Sequence, residues 1–193
     1  MVKASLDNTY NFLGRIVRYE DGTSAPYKAF LDGVDVGQTK ALFSRIMAGR
    51  NITLLTTSYR PVIVCVTGPS NRYWSHCREN LRMGGFHLRD THFVLLCPMF
   101  WREMTPWPVP RDCNVVNSRN TQLSGPMLSG SRYTHLVHEL VHMYLGKPCL
   151  QPEVYLTNAC LKLPSQKAAI NPNNYALFVG SKCSGLSHAT SPQ

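Results

Sequence analysis

Residues 132–145 read RYTHLVHELVHMYL, and this stretch decides how the chain is read. No glycine or proline interrupts it, and Gly146 followed by Pro148 supplies a stop. Leu136, Val137, Leu140, Val141 and Leu145 cover much of its circumference, so a largely buried helix is expected. Three histidines and a glutamate on such a helix need a reason, because uncompensated polar groups are costly in an apolar interior. The spacing offers one. Residues 138–142 are His-Glu-Leu-Val-His. Histidines four apart lie one turn apart on one face, so two imidazoles can converge on one ion. The glutamate beside the first histidine can reach a metal-activated water without being a ligand, and take its proton. Composition alone gives this pattern a chance of about 0.6% in a chain of this length, which favours chemistry over coincidence. The competing reading is a core helix whose histidines bond to backbone carbonyls.

A catalytic zinc site takes a third protein ligand. Beyond His142 the chain has no aspartate and one glutamate, Glu153; His188, Cys149, Cys160 and Cys183 are the other donors there. A metzincin would place glycine at 145 and histidine at 148, where this chain has Leu145 and Pro148, so that class is excluded. Glu153 follows a turn at Gly146-Lys147-Pro148, far enough along for the chain to fold back to the helix. It is the expected third ligand; otherwise it is an ordinary surface glutamate.

The remaining sequence sets the frame. With 193 residues, 44% apolar and 16% charged, the chain is globular and long enough for a real core, and one domain over 1–193 is expected. Lys+Arg 20 against Asp+Glu 11 gives +9. The basic residues are dispersed, no two adjacent, with no aromatic RNA-binding motif, helix-turn-helix or C2H2 spacing, so a nucleic-acid partner is not expected. The charge reflects scarce acids. No apolar run reaches the roughly 18 residues of a membrane span. Cysteines 65, 77, 97, 113, 149, 160 and 183 contain no C-x-x-C, which argues against a cysteine-rich zinc module and for a secreted, disulfide-bearing chain. Local pairs can be drawn as Cys65–Cys77, Cys97–Cys113 and Cys149–Cys160, with Cys183 left over. The triplet Asn51-Ile52-Thr53 is a glycosylation sequon. Residues 1–14 hold no continuous apolar leader segment, which fits the mature portion of a secreted protein or a chain that stays inside.

Patterning predicts a helix over 36–49, a strand over 61–66, a helix over 73–83 closed by Gly84-Gly85, a strand over 91–97, and a long loop over 106–131. A last helix starts near Asn171, a candidate N-cap, and Pro172, with Tyr175, Phe178 and Val179 as its core stripe.

Taken in order, Leu96-Cys97-Pro98-Met99-Phe100, Cys113, HELVH at 138–142, an acid at 153 and Asn171-Pro172-Asn173-Asn174-Tyr175-Ala176-Leu177-Phe178 resemble the deuterolysin-type fungal zinc metallopeptidases, the aspzincins. The resemblance covers about 61–181; residues 1–60 match no motif of the family. It implies an α+β zincin-like domain with a small sheet, zinc held by His138 and His142, and Glu139 as catalytic base. The family's third ligand is an aspartate in a Gly-Thr-x-Asp-x-x-Tyr-Gly segment. Here Leu150-Gln151-Pro152-Glu153-Val154-Tyr155-Leu156 aligns with it: Glu153 stands for the aspartate, the Gly-Thr pair is absent, and Leu156 takes the place of the oxyanion-stabilising tyrosine. Tyr155, one residue early, is the oxyanion candidate, and Tyr144 a poorer one. Acids that select lysine in some members correspond to Asn173 and Ala176, so lysine selectivity is not expected.

The expectation is therefore a secreted, monomeric zinc endopeptidase acting on peptide or protein substrates, with Glu139 and Tyr155 catalytic. Its rivals are a secreted zinc-binding relative without catalysis, such as an effector-type binding protein, and a basic interaction domain with an accidental motif. His135 is read as a core histidine with an outer role at the metal as its rival, and Glu103 and Asp112 as acids able to support His138 or His142.

Overall fold

The computed structural model describes residues 2–78, 83–102, 104, 131–149 and 151–181. Of the loop over 106–131 only Ser131 is described, and Glu103, Asp112, Cys113, Cys183 and His188 lie outside the described residues. The N-terminal part, silent as sequence motif, is helical: α1 (Val2–Tyr19), α2 (Ala25–Phe30) and α3 (Val36–Met47). On α1, Thr9, Leu13, Ile16 and the following Glu20 recur at helical spacing and are all buried. Glu20 closes the turn into α2 by accepting from the Gly22 amide at 2.8 Å and the Ser24 hydroxyl at 2.9 Å. Ser24 then caps α2 through the Tyr27 amide, and Asp35 caps α3 through the Gln38 amide at 2.7 Å.

Two small sheets follow. β1 (Ile52–Leu54) and β2 (Thr57–Tyr59) form an antiparallel hairpin. Its two-residue turn puts Leu55 at φ 57, the left-handed conformation such turns require. The second sheet has the order β3-β5-β4, from β3 (Val62–Cys65), β4 (Gly85–His87) and β5 (Phe93–Leu96). β3 and β5 run parallel with Val62 opposite Phe93, connected through α4 (Trp74–Arg78). β4 is antiparallel to β5 and lies at the edge. Of the expected helix over 73–83, the described residues form α4, Trp74–Arg78. The Gly84-Gly85 pair lets the edge strand approach its neighbours closely. A Cβ at Gly85 would meet the Leu95 carbonyl oxygen at 2.5 Å and the His135 ring at 3.4 Å.

α5 (Pro98–Arg102) leaves β5, and α6 (Arg132–Leu145) is the HELVH helix, with the predicted bounds. The Ser131 hydroxyl accepts from the Thr134 amide at 3.1 Å, and Gly146 at φ 64 ends the helix with its amide on the His142 carbonyl. α7 (Thr157–Cys160), α8 (Ser165–Ala168) and α9 (Pro172–Ser181) complete the described chain. The main core joins α1, α2, α3, α6 and α9: Leu136, Val137 and Val141 are fully buried there, with Tyr27 edge-on to Phe178 and Phe43 edge-on to Tyr175. Tyr175, Phe178 and Val179 are core, as the pattern predicts.

None of the locally drawn cysteine pairs forms. Cys77 is bonded to Cys97, and Cys65, Cys149 and Cys160 are free thiols. Spacing along the chain misleads here, because the α4 connection folds Cys77 back over β5. Val66 and Leu95 pack with this disulfide in a second small cluster. A cross-link between residues 20 apart stabilises by about 3 kcal/mol on chain-entropy grounds. Reduction, or replacement of both cysteines by serine, should lower the melting temperature accordingly, as read by thermal denaturation with and without reductant.

Candidate metal centre

α6 crosses the molecule between the small sheet and α9, and its polar positions face a large cleft. The side-chain donors of His138, Glu139 and His142 lie within 4.8 Å of one another. Glu153 is folded back onto the same point, as its place after the Gly146 turn implies. Its Oε2 lies 2.9 Å from His142 Nε2 and its Oε1 3.3 Å from His138 Nε2. The Glu153 side chain is 5% exposed, and its Oε1 has no hydrogen-bond partner. A buried carboxylate set between two imidazole nitrogens, with its Oε1 lacking a donor, is a costly arrangement that a cation relieves. Two imidazole nitrogens and a carboxylate oxygen are donors of the kind that could hold a divalent metal.

The electrostatics agree with this chemistry. Burial drives His138 down to about 3 although Glu153 pulls the other way, so the ring stays neutral and keeps a lone pair for a metal. Burial alone would raise Glu153, but its hydrogen bond with His142 and the electrostatic pull of the two neighbouring imidazoles hold its carboxyl below the usual value. Glu139 is occupied differently. The His87 amide of edge strand β4 donates to its Oε2 at 2.7 Å, and burial pushes its carboxyl up to about 8 against that hydrogen bond. With one oxygen held by β4, Glu139 is placed beside the donor set, and Glu153 is the acid that spans both histidines.

The other residues singled out in the sequence sort clearly. His135 does not face the Glu153 donor set. Its Nε2 is bonded to the Gly85 carbonyl at 3.1 Å, tying α6 to β4. The Tyr144 hydroxyl donates to the Arg50 carbonyl at 2.9 Å, which removes it from the oxyanion role. Tyr155 is near: its ring centroid is 6.0 Å from that of His138, and burial together with the Glu153 carboxylate pushes its hydroxyl pKa up. Tyr155 remains 64% exposed, and Leu156 is more exposed still at 77%. Cys149 lies beside His142, its thiol on the His142 carbonyl rather than in the donor set. Asn171 does not act as a side-chain cap; its amide is bonded to the backbone of Val154.

Two contributors had no local signal in the sequence. One is the His87 amide, which reaches Glu139 because β4 lies at the sheet edge; a backbone group is invisible to motif reading. The other is the β1–β2 hairpin, which forms a wall of the cleft with the 87–93 segment opposite the floor of α6. The cleft measures ≈ 2310 Å³. That is well above the roughly 300–1,000 Å³ of small-molecule pockets and suits an extended chain.

No protein-family model and no curated protein matches this sequence. Among solved structures, a zinc peptidase from Grifola frondosa superposes with a TM-score of 0.54 over 92% of this chain and 90% of that chain, at 12% sequence identity. At that identity the likeness concerns the fold. The architecture is α+β and shares the fold of that solved structure, with the His-Glu-x-x-His group on a central helix and small sheets beside it.

His135 also gives a pH prediction for the metal-free protein. Burial pushes it down to about 4, with the Gly85 carbonyl opposing. The folded value lies below the unfolded one near 6.5, so the unfolded chain takes up the proton first. Its stability contribution is present above about pH 6.5 and is lost as pH falls toward 4. The melting temperature should decline across that window, and less steeply in His135→Gln.

Proposed function

We propose that this chain is a zinc-dependent endopeptidase. The observation that carries the reading is the Glu153 carboxylate, buried and spanning His138 and His142. His138, His142 and Glu153 would hold the metal. Zinc there supplies a Lewis acid that polarises a peptide carbonyl and makes a water nucleophilic near neutral pH. Glu139 takes the proton of the attacking water and delivers it to the leaving amine. Its Oε2 is fixed by the His87 amide, which orients the carboxylate. Burial raises its proton affinity, and a neighbouring cation favours its ionised form; the balance of the two suits a group that both accepts and returns a proton. The Tyr155 hydroxyl, influenced by the Glu153 carboxylate, is the proposed oxyanion donor once it swings toward substrate. Tyr155→Phe should then lower kcat while leaving zinc affinity within a few-fold. The substrate is a peptide or protein segment lying in the cleft. Secretion as a monomer is part of the proposal. The Cys77–Cys97 disulfide supports an oxidising, extracellular setting.

A second reading, a zinc-binding relative without catalysis, is favoured by one observation: Leu156 stands where the resemblance places a tyrosine. Zinc content and casein hydrolysis, measured for the wild type beside Glu139→Gln, separate the two. Stoichiometric zinc with equal, negligible hydrolysis in both proteins would establish the second reading.

A further inference from the structure

The segment that carries Glu153 has no strand partner among the described residues, yet its backbone is held firmly. Asn171, fully buried at the start of α9, accepts from the Val154 amide through Oδ1 at 3.2 Å and donates from Nδ2 to the Val154 carbonyl at 3.0 Å. One side-chain amide thus satisfies both backbone polar groups of the residue after Glu153, as a neighbouring strand would. Two residues further on, Asn173 donates from Nδ2 to the Tyr155 carbonyl at 2.8 Å. Asn173 is 8% exposed, lines the cleft, and its side chain interacts electrostatically with the His138 ring. The same residue therefore acts on both halves of the donor set: the ring from α6 and the arm that brings the carboxylate.

We propose that Asn171 and Asn173 form an amide clamp that presets the position of Glu153 against His138 and His142, so that the third ligand is in place before any metal arrives. The inference rests on the reading of those three residues as the ligand set. They are positioning residues: neither needs to touch metal or substrate. The physical reason is that the buried Glu153 carboxylate has an oxygen without a hydrogen-bond partner, so its own interactions do not fix it fully. A loop arm left to itself would turn such a group toward water. Fixing the two residues that follow removes that escape and lowers the ordering cost of binding.

The test is zinc affinity, measured by chelator competition on the full chain, with thermal melting in the absence of zinc as a folding check. Asn173→Ala and Asn171→Ala should bind zinc roughly 10–100-fold more weakly than wild type, as loss of outer partners of metal ligands does. Thr39→Val is the matched control. Thr39 is fully buried and hydrogen-bonded to the Tyr27 hydroxyl at 3.0 Å, away from the Glu153 arm, so its loss should lower stability and leave zinc affinity unchanged. If Asn171→Ala does not fold, Asn173→Ala at the cleft wall decides. Wild-type and Asn173→Ala affinities within threefold of each other would overturn the clamp. A wild type that binds no zinc would overturn the metal reading itself and the clamp with it.

Discussion

Replacing Glu139 by Gln is expected to leave zinc binding intact and to lower kcat/KM for a casein or peptide substrate by about 10²–10⁴-fold, the range supplied by a positioned acid–base group. The isosteric amide keeps the shape of the side chain and can still accept from the His87 amide, now 2.7 Å from Glu139 Oε2, so β4 and α6 should keep their relation. What is lost is the ability to carry a proton. The kinetic signature is a fall in kcat with little change in KM, since the group acts in the transition state. Glu139 is fully buried, and its neutral replacement removes a desolvated carboxyl, so the metal-free variant should melt no lower than wild type. Lost activity with lost stability would point to a structural role instead.

Glu153→Ala is the second large effect. It should weaken zinc binding by more than the roughly 10–100-fold that outer partners account for, because it removes one of three donors. Linkage gives a second readout. Zinc at 1,000 times its Kd stabilises the folded state by about 4.1 kcal/mol, so wild type should show a clear zinc-dependent rise in melting temperature. Glu153→Ala should show almost none under the same conditions. Hydrolysis should fall together with occupancy. Retained tight zinc binding in this variant would assign the third donor elsewhere, Glu139 being the acid already grouped with the two histidines.

How the sequence foretold the site, and where it did not, follows from locality. The HELVH helix is legible because its periodicity, its Gly146 terminus and its histidine spacing all lie within one short segment, and the structure keeps the predicted bounds. Glu153 is legible because acids are scarce beyond the motif. The long-range partners are not. Cys77–Cys97 depends on how the α4 connection returns to β5, which spacing alone does not encode. Gly84-Gly85 reads equally well as a helix stop or as a close strand approach until the Leu95 carbonyl is in view. The first sixty residues carry no chemistry motif. Their caps at Ser24 and Asp35 and the Leu13 and Ile16 spacing are local signals, but what they pack against comes from α6 and α9. Asn171 shows the same lesson in one residue: it has the composition of a cap, and tertiary structure assigns its amide to Val154.

In the proposed reading His138, His142 and Glu153 hold one zinc ion. Metal analysis of the purified full chain, combined with X-ray absorption at the zinc edge, tests it most directly. The expected result is one zinc per chain with two imidazole nitrogens and carboxylate oxygen in its coordination shell, the carboxylate signal disappearing in Glu153→Ala. Absence of stoichiometric zinc, or a shell containing thiolate sulfur or unaltered by loss of Glu153, would contradict it.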